Sequence, residues 1–163
     1  HANLVKQLKD RSMSRQYAAL VYGHPNKEGT IDAAMNRHRL QRTKMAVVYS
    51  GKPAITHYRL SETTAHCAWL DVKLETGRTH QIRVHLTHIG HPLVGDPVYR
   101  QGRPGLGYAT QEARALIDAF PRQALHAKTL GLIHPMHGQH VEFEVPLASD
   151  LHGLSVALRR VDV

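Results

Sequence analysis

The densest set of residues that could do chemistry lies between Leu74 and Tyr99, in the sequence LETGRTHQIRVHLTHIGHPLVGDPVY. Two arginines, four histidines and an aspartate surround what reads as one short helix. Gly77 would let the chain turn tightly into that helix, so that its first N–H groups and Arg78 could hold a phosphate or a carboxylate. The alternative is a structural junction between a loop and a helix, and the residue types alone do not separate the two.

Arg83 follows the apolar Ile82 and is therefore predicted at the edge of the buried stripe of this helix. A half-buried guanidinium needs a carboxylate partner, because an unpaired buried charge is unfavourable. Asp96, in the segment GHPLVGDP, is predicted to be a turn residue.

Histidines recur in this stretch and again near the end of the chain, which raises the possibility of a metal site. A zinc site needs three or four converging ligands, and these spacings match no familiar ligand motif. We therefore expect no metal, and a histidine-rich metallohydrolase is the weaker alternative to histidines that contact phosphates or cap helices. The histidines are His80, His85, His88, His91, His134, His137 and His140.

The composition favours a nucleic-acid partner. The 163 residues include 21 Lys and Arg against 13 Asp and Glu, a formal net charge of +8. Such a surplus attracts polyanions, although a basic surface can also serve solubility alone. The single Cys67 cannot form an internal disulfide, and no apolar stretch is long enough for a bilayer span. A cytoplasmic protein with no membrane contact is expected.

The spacing of apolar residues predicts an α+β fold with a largely antiparallel sheet, because strands outnumber helices and do not alternate with them. A helical tail is predicted around Leu4 to Leu8, and Thr79 is the predicted N-cap of the central helix. The predicted strands are 16–23, 44–49, 54–60, 67–74, 124–133 and 140–145; the other helices are 79–89, 112–119 and 151–159. Residues 23–29 are predicted to be a turn, and residues 102–107 a flexible loop.

Four blocks of this sequence resemble the RluA family of RNA pseudouridine synthases, and among them the D-type synthases of large-subunit ribosomal RNA. The blocks are RQYAALVYGHP (15–25), RHRLQRTKMAV with GKPAITHYR (37–59), LETGRTHQIRVHLTHIGHPLVGDPVY (74–99) and RQALHAKTLGLIHP (122–135). The resemblance implies the pseudouridine synthase fold, a mixed and largely antiparallel sheet with flanking helices and a central RNA-binding cleft. It also implies that residues 1–163 are the C-terminal part of the catalytic domain.

The nucleophilic aspartate of the family belongs to an H-R-L-D motif, which is expected upstream of His1, as is any S4-type RNA-binding domain. The segment His38-Arg39-Leu40-Gln41 imitates the motif with glutamine in place of aspartate, but its neighbours match a different block. Gln41 is therefore given no catalytic role. The chain alone is expected to be inactive, because it would lack the nucleophile.

By the resemblance, Tyr17 corresponds to the active-site tyrosine that stacks on the target uracil and is a candidate for removing the C5 proton. Periodicity alone favours a core role for Tyr17, with its hydroxyl satisfied at an edge of the sheet. Arg83 corresponds to the basic residue that pairs with the nucleophilic aspartate and would lower its pKa. The expected RNA-binding residues are Arg37, His38, Arg42, Lys44, Lys52, Arg78, His80, Gln81 and His126.

The resemblance thus implies an isomerase that detaches uracil, turns it and rejoins it through C5, with large-subunit ribosomal RNA as partner and with no cofactor. A monomer is expected. The alternative function is a non-catalytic RNA-binding module that keeps the basic surface and lacks the nucleophile by nature.

Overall fold

The computed structural model describes residues 1–100, 104 and 106–161, which form an α+β domain built on a six-stranded sheet. The helices are α1 (Ala2–Lys9), α2 (Gln81–His88), α3 (Gln111–Ala119) and α4 (Ser149–Val161). The strands are β1 (Ser14–Tyr22), β2 (Glu28–Asp32), β3 (Met35–Arg37), β4 (Met45–Val47), β5 (Ile55–Thr63), β6 (Cys67–Leu74), β7 (Leu125–Ile133) and β8 (His140–Glu144). The α+β prediction is confirmed.

The sheet has the strand order β2-β5-β6-β1-β7-β8, so β1 and β6 occupy its centre. Each neighbouring pair in this order is antiparallel. The largely antiparallel sheet is therefore confirmed, although the described strands include none of the parallel pairs that a mixed sheet would have. β3 and β4 form a separate two-stranded hairpin, so the predicted meander through residues 44–74 holds only for β5 and β6.

Alternation along β1 gives the two faces of the sheet different coverings. Ala19 and Val21 point into a core with Ile82 and Leu86 of α2. Leu20 lies on the opposite face, in a core shared with Ile117 of α3 and with Leu151, Leu154 and Leu158 of α4. Both faces of β1 are therefore buried, which explains why QYAALVY reads as a nearly continuous apolar run.

Two strands, β2 and β3, were not predicted from the sequence. Residues 28–32, EGTID, carry a glycine and two acidic residues, and their strand conformation depends on pairing with β5. At Gly29 a side chain would overlap the ring of Tyr58, which lies across β2 at that point. Gly29 is therefore a position of close approach rather than the end of a turn.

The remaining elements agree with prediction to within a few residues, apart from the start of α2. Its N-cap is His80 rather than Thr79. Gly90 follows the helix with φ +86°, which confirms the glycine predicted after its C-terminus. Half of the loop predicted for residues 102–107 lies outside the described residues, and residues 106–108 form a short 3-10 helix.

Candidate active site and RNA-facing surface

Tyr17 lies on the central strand β1, on the face that α2 covers. It pairs with Val72 of β6 and is half-buried against the core that contains Ile82 and Leu86. On its other side the register with β7 shifts between Gln16 and Tyr17, which is the mark of a β-bulge. The extra residue is Lys128 of β7, and β1 keeps a continuous register with β6 through Tyr17.

The start of α2 is attached to the sheet by Gln81, whose side chain is 2% exposed. Its amide nitrogen donates to the carbonyl of Ile55 and to Oγ1 of Thr56, both at 3.0 Å. Its amide oxygen accepts from the hydroxyl of Thr76 (2.8 Å) and from the N–H of Arg78 (3.0 Å). The amide is fully used inside the protein, so Gln81 holds α2 in place, and its contact with RNA stays a prediction.

His85 continues this buried network. Its Nε2 lies 2.9 Å from the carbonyl oxygen of Ala33, and its Nδ1 lies 2.8 Å from the hydroxyl of Thr56. Because a carbonyl can only accept, Nε2 carries the proton and Nδ1 accepts from Thr56. Burial lowers the pKa of His85, which agrees with a neutral ring.

Arg83 forms a buried, two-pronged ion pair with Asp96. Nε and Nη2 of Arg83 lie 2.8 and 2.9 Å from the two carboxylate oxygens, and the side chains are 10% and 1% exposed. Burial alone would raise the pKa of Asp96, but hydrogen bonds from Arg83 and from the N–H groups of Tyr99 and Val98 outweigh it and lower that pKa. The predicted need of Arg83 for a carboxylate partner is confirmed.

Asp96 has two roles, of which the sequence indicated one. Its Oδ1 accepts from the N–H groups of Val98 and Tyr99, which is the behaviour expected of a turn residue. Its partnership with Arg83 was not predicted, because the two residues lie on different elements. The carboxylate thereby fixes the turn and the guanidinium in one geometry.

Tyr99 is a member of this cluster that sequence reasoning missed. The guanidinium of Arg83 lies over its ring, 4.9 Å from the centroid. Its hydroxyl accepts from the N–H of Met45 (2.9 Å) and is hydrogen bonded to Nδ1 of His80 (2.8 Å). Tyr99 therefore joins α2 to the β3–β4 hairpin, and its place at the end of the GHPLVGDPVY block was the available signal.

His80 has φ +56°, in the left-handed region that non-glycine residues rarely adopt. Burial and the nearby charge of Arg83 lower its pKa. Strained backbone of this kind persists where the surrounding structure fixes it, and it is concentrated at functional sites. The ring of His80 is accordingly held close to Arg83 and Tyr99.

A basic groove of about 390 Å³ runs between the β3–β4 hairpin and α2. The described lining residues of this groove are basic, uncharged polar or apolar, and none is acidic. The basic ones are His38, Lys44, His88 and Arg100. We call this surface the basic groove; His88 and Arg100 had not been predicted to take part in it.

The structure gathers most of the predicted RNA-binding residues on this side of the molecule. Arg37 and Arg42 are exposed on the hairpin, where Nη1 of Arg37 donates to the carbonyl of Arg42. Lys52 is exposed, and its backbone forms an isolated antiparallel β-bridge with Met35. Nε of Arg78 donates to the carbonyl of Pro53. These positions fit contact with RNA, which stays a prediction.

His126 does not join this group. It pairs with Ala18 of β1, and directly paired residues lie on the same face of a sheet. Ala18 packs against the core of α3 and α4, so His126 faces away from Tyr17. Its register places His126 on the face opposite Tyr17, and its contact with RNA stays a prediction.

Gly77 also differs from prediction, because its φ is not positive and no tight left-handed turn is present there. A Cβ at this position would overlap Nη1 of Arg15. The glycine therefore allows an arginine side chain to lie against the loop that leads into α2.

No three or more His, Cys, Asp or Glu side chains in the described ranges are arranged to hold a metal ion. Among the described helices, none has the length and apolar character needed to cross a bilayer.

The fold is that of a pseudouridine synthase domain. The structure matches human RNA pseudouridylate synthase domain containing 1, with a TM-score of 0.72, 27% identity and coverage of 97% of this chain and 70% of that one. It also matches human RNA pseudouridylate synthase domain containing 4 in fold, with a TM-score of 0.75, 21% identity and coverage of 97% and 67%.

A sequence model described as RNA pseudouridylate synthase matches residues 1–88, and the chain belongs to this family. Similar proteins named ribosomal large subunit pseudouridine synthase D come from Pseudomonas aeruginosa (51% identical, covering 98% of this chain and 50% of the relative) and Nitrosomonas europaea (50% identical, 98% and 45%). The one from Escherichia coli is 47% identical, with coverage of 96% and 48%. The chain spans about half the length of these relatives.

Proposed function

We propose that the protein containing this chain isomerises uridine to pseudouridine in large-subunit ribosomal RNA. Family membership and the names of the similar proteins support the reaction and the substrate class. The observation that carries the proposal is the position of Tyr17 on a central strand, beside a bulge and on the same face as α2 with Arg83. The nucleophilic aspartate belongs to an H-R-L-D segment that this chain does not contain.

Tyr17 serves as the aromatic platform for the uracil and takes the proton from C5. A uridine that leaves its stack loses base stacking, and an aromatic face partly replaces it. The phenol oxygen of Tyr17 can accept the C5 proton once its own proton has passed to another group, whereas its ring alone suffices for stacking.

Arg83 meets the nucleophilic carboxylate through Nη1, the nitrogen that does not bind Asp96. A neighbouring guanidinium stabilises the ionised form of an aspartate, which is the form that can attack. Asp96 acts as a positioning residue, because it holds the other edge of Arg83.

The basic groove carries the RNA backbone past the target nucleotide. Lys44 and Arg100 have no acidic neighbour among the described lining residues of the groove, so their charge is available to phosphates.

The test is release of tritium from C5-labelled uridine in large-subunit ribosomal RNA, with this chain compared with a form extended through the upstream segment. Release by the extended form alone supports both the reaction and the outside nucleophile. In that form Tyr17→Phe should reduce release by about 10²-fold or more, as expected for loss of a general base. Tyr49→Phe, at a fully exposed tyrosine, is the matched control and should leave the rate unchanged.

Release by the short chain would overturn the assignment of the missing nucleophile. If neither form releases tritium while both bind the RNA, the protein is a non-catalytic RNA-binding module.

A further inference from the structure

A cavity of about 400 Å³ lies between α1, the start of β1 and the loop that leads into α2. Val5 and Leu8 of α1 contribute apolar lining. The charged lining residues are Lys9, Arg11, Arg15, Glu75 and Arg78, four cations against one carboxylate. We call it the Arg15 cavity.

Glu75 is already neutralised by other groups. Its Oε2 accepts from Nη1 of Arg11 at 3.1 Å, and its Oε1 lies 2.6 Å from Nε2 of His57. The hydrogen bond from His57 is the main reason that the pKa of Glu75 is lowered. The positive charge of Lys9, Arg15 and Arg78 therefore remains without a carboxylate from the cavity lining.

Arg15 is the unusual member of this set. Its Nε is buried and has no hydrogen-bond partner within the part of the chain that the structure describes. A buried donor without a partner is unfavourable, so such an atom calls for a bound group. Because a side chain at position 77 would overlap Nη1, Gly77 provides the space in which this guanidinium sits.

The Arg15 cavity adjoins the candidate active site. Arg15 and Tyr17 are two residues apart on β1, so their side chains point to the same face of the sheet. Arg78 belongs to the loop just before α2. A group held by Arg15 and Arg78 would lie about one nucleotide unit from a base on Tyr17, since alternate residues of a strand are about 6.6 Å apart.

We propose that the Arg15 cavity binds a phosphodiester group of the RNA strand next to the uridine that reaches Tyr17. The inference rests on the proposed function, of which it specifies one contact. An arginine fork suits two oxygens of one phosphate, and Lys9 and Arg78 add positive charge. A carboxylate from a protein segment outside this chain is the competing occupant.

The test uses the full-length protein and a fragment of large-subunit ribosomal RNA that contains the target uridine. Affinity is measured over a series of KCl concentrations for the wild type, Arg15→Met, Arg15→Lys and Gly77→Ala. Arg160→Met is the matched control, because it removes an exposed arginine from α4 on the other face of the sheet. Thermal melting of each variant reports folding separately.

Arg15→Met should weaken binding about tenfold and reduce the slope of log K against log[KCl] by about 0.7 to 0.9, the value for one lost phosphate contact. Gly77→Ala keeps every charge and should still weaken binding, because it displaces Arg15. Arg15→Lys should recover part of the affinity. A neutral methylphosphonate at one phosphate beside the target uridine should abolish the difference between the wild type and Arg15→Met.

Equal salt slopes for Arg15→Met and Arg160→Met would overturn the proposal. A lower melting temperature for Arg15→Met with unchanged RNA affinity would also overturn the proposal. That result would indicate that Arg15 pairs with a carboxylate of the protein instead of a phosphate. Tritium release separates this site from the proposed function. If the wild type releases tritium normally but Arg15→Met does not change RNA affinity, the phosphate site alone is rejected. If the wild type releases no tritium but Arg15→Met weakens RNA binding as expected, the synthase function alone is rejected.

Discussion

α2 covers one face of the sheet through apolar side chains together with buried hydrogen bonds, whereas α3 and α4 cover the other mainly through apolar side chains. Beneath α2, Gln81, His85 and Arg83 are all buried and each is bound to named polar partners. The contacts of α4 with the sheet use leucines, and its ion pairs lie at the surface. A polar network fixes distances and directions, while apolar packing tolerates changes of shape. The face with the fixed geometry is the one that carries Tyr17.

The largest expected difference between the two faces concerns two arginines with the same two-pronged pairing. Arg83→Met should lower the free energy of unfolding by about 3–5 kcal/mol, because it leaves Asp96 buried and unpaired. Arg122→Met breaks the exposed pair with Asp150 and should lower it by about 1 kcal/mol or less. Urea unfolding of the full-length protein measures both. Similar losses for the two variants would remove the distinction between the faces.

Gln81→Met tests the attachment of α2 at nearly constant volume. It should lower the free energy of unfolding by about 1–3 kcal/mol for each buried group left without a partner. Leu154→Met, a change of similar size on the face of α4, should lower it by less than about 1.5 kcal/mol. Urea unfolding again provides the measurement, and equal effects would show that the network of Gln81 is not needed for stability.

The two faces should also respond differently to acid. Because burial lowers the pKa of His85, the folded state disfavours its protonated form. The stability contributed by the neutral ring is fully present above the unfolded pKa of about 6.5 and is lost as pH falls through the folded pKa. His85→Gln should remove this part of the pH dependence, while His152→Gln, at an exposed position of α4, should retain it. Denaturation midpoints between pH 7.5 and 4.5 distinguish them.

The smallest effect is expected at the helix starts. The Oγ1 of Thr110 accepts from the N–H of Ala113 and caps α3, so Thr110→Ala should lower the free energy of unfolding by about 1 kcal/mol. α2 has no side-chain cap hydrogen bond at His80. His80→Ala should therefore act mainly through Tyr99, by lowering RNA affinity or activity more than Thr110→Ala does. Equal functional effects of the two variants would contradict this.

Most of the sheet could be predicted from the sequence because strong local signals mark its central strands. Cys67–Leu74 has the predicted bounds, and the apolar run of β1 required burial on both faces. β2 could not be predicted, because EGTID becomes a strand only through pairing with β5. Local propensity carries no information about such a partner.

The residue types of the candidate site could be predicted from the sequence, but the contacts between residues on different elements could not. The position of Arg83 beside Ile82 predicts a carboxylate partner. That this partner is Asp96 follows only from the folded structure, in which the turn after α2 lies against Arg83. The resemblance predicts that both Gln81 and His126 bind RNA. Burial of the first and the register of the second depend on tertiary structure, which a polar residue type does not reveal.

The overlap between Gly77 and Arg15 also has an evolutionary consequence. Because a Cβ at 77 and the guanidinium of Arg15 occupy the same space, a larger residue at 77 is compatible only with a shorter or redirected side chain at 15. The two positions, 62 residues apart in sequence, should therefore vary together among relatives.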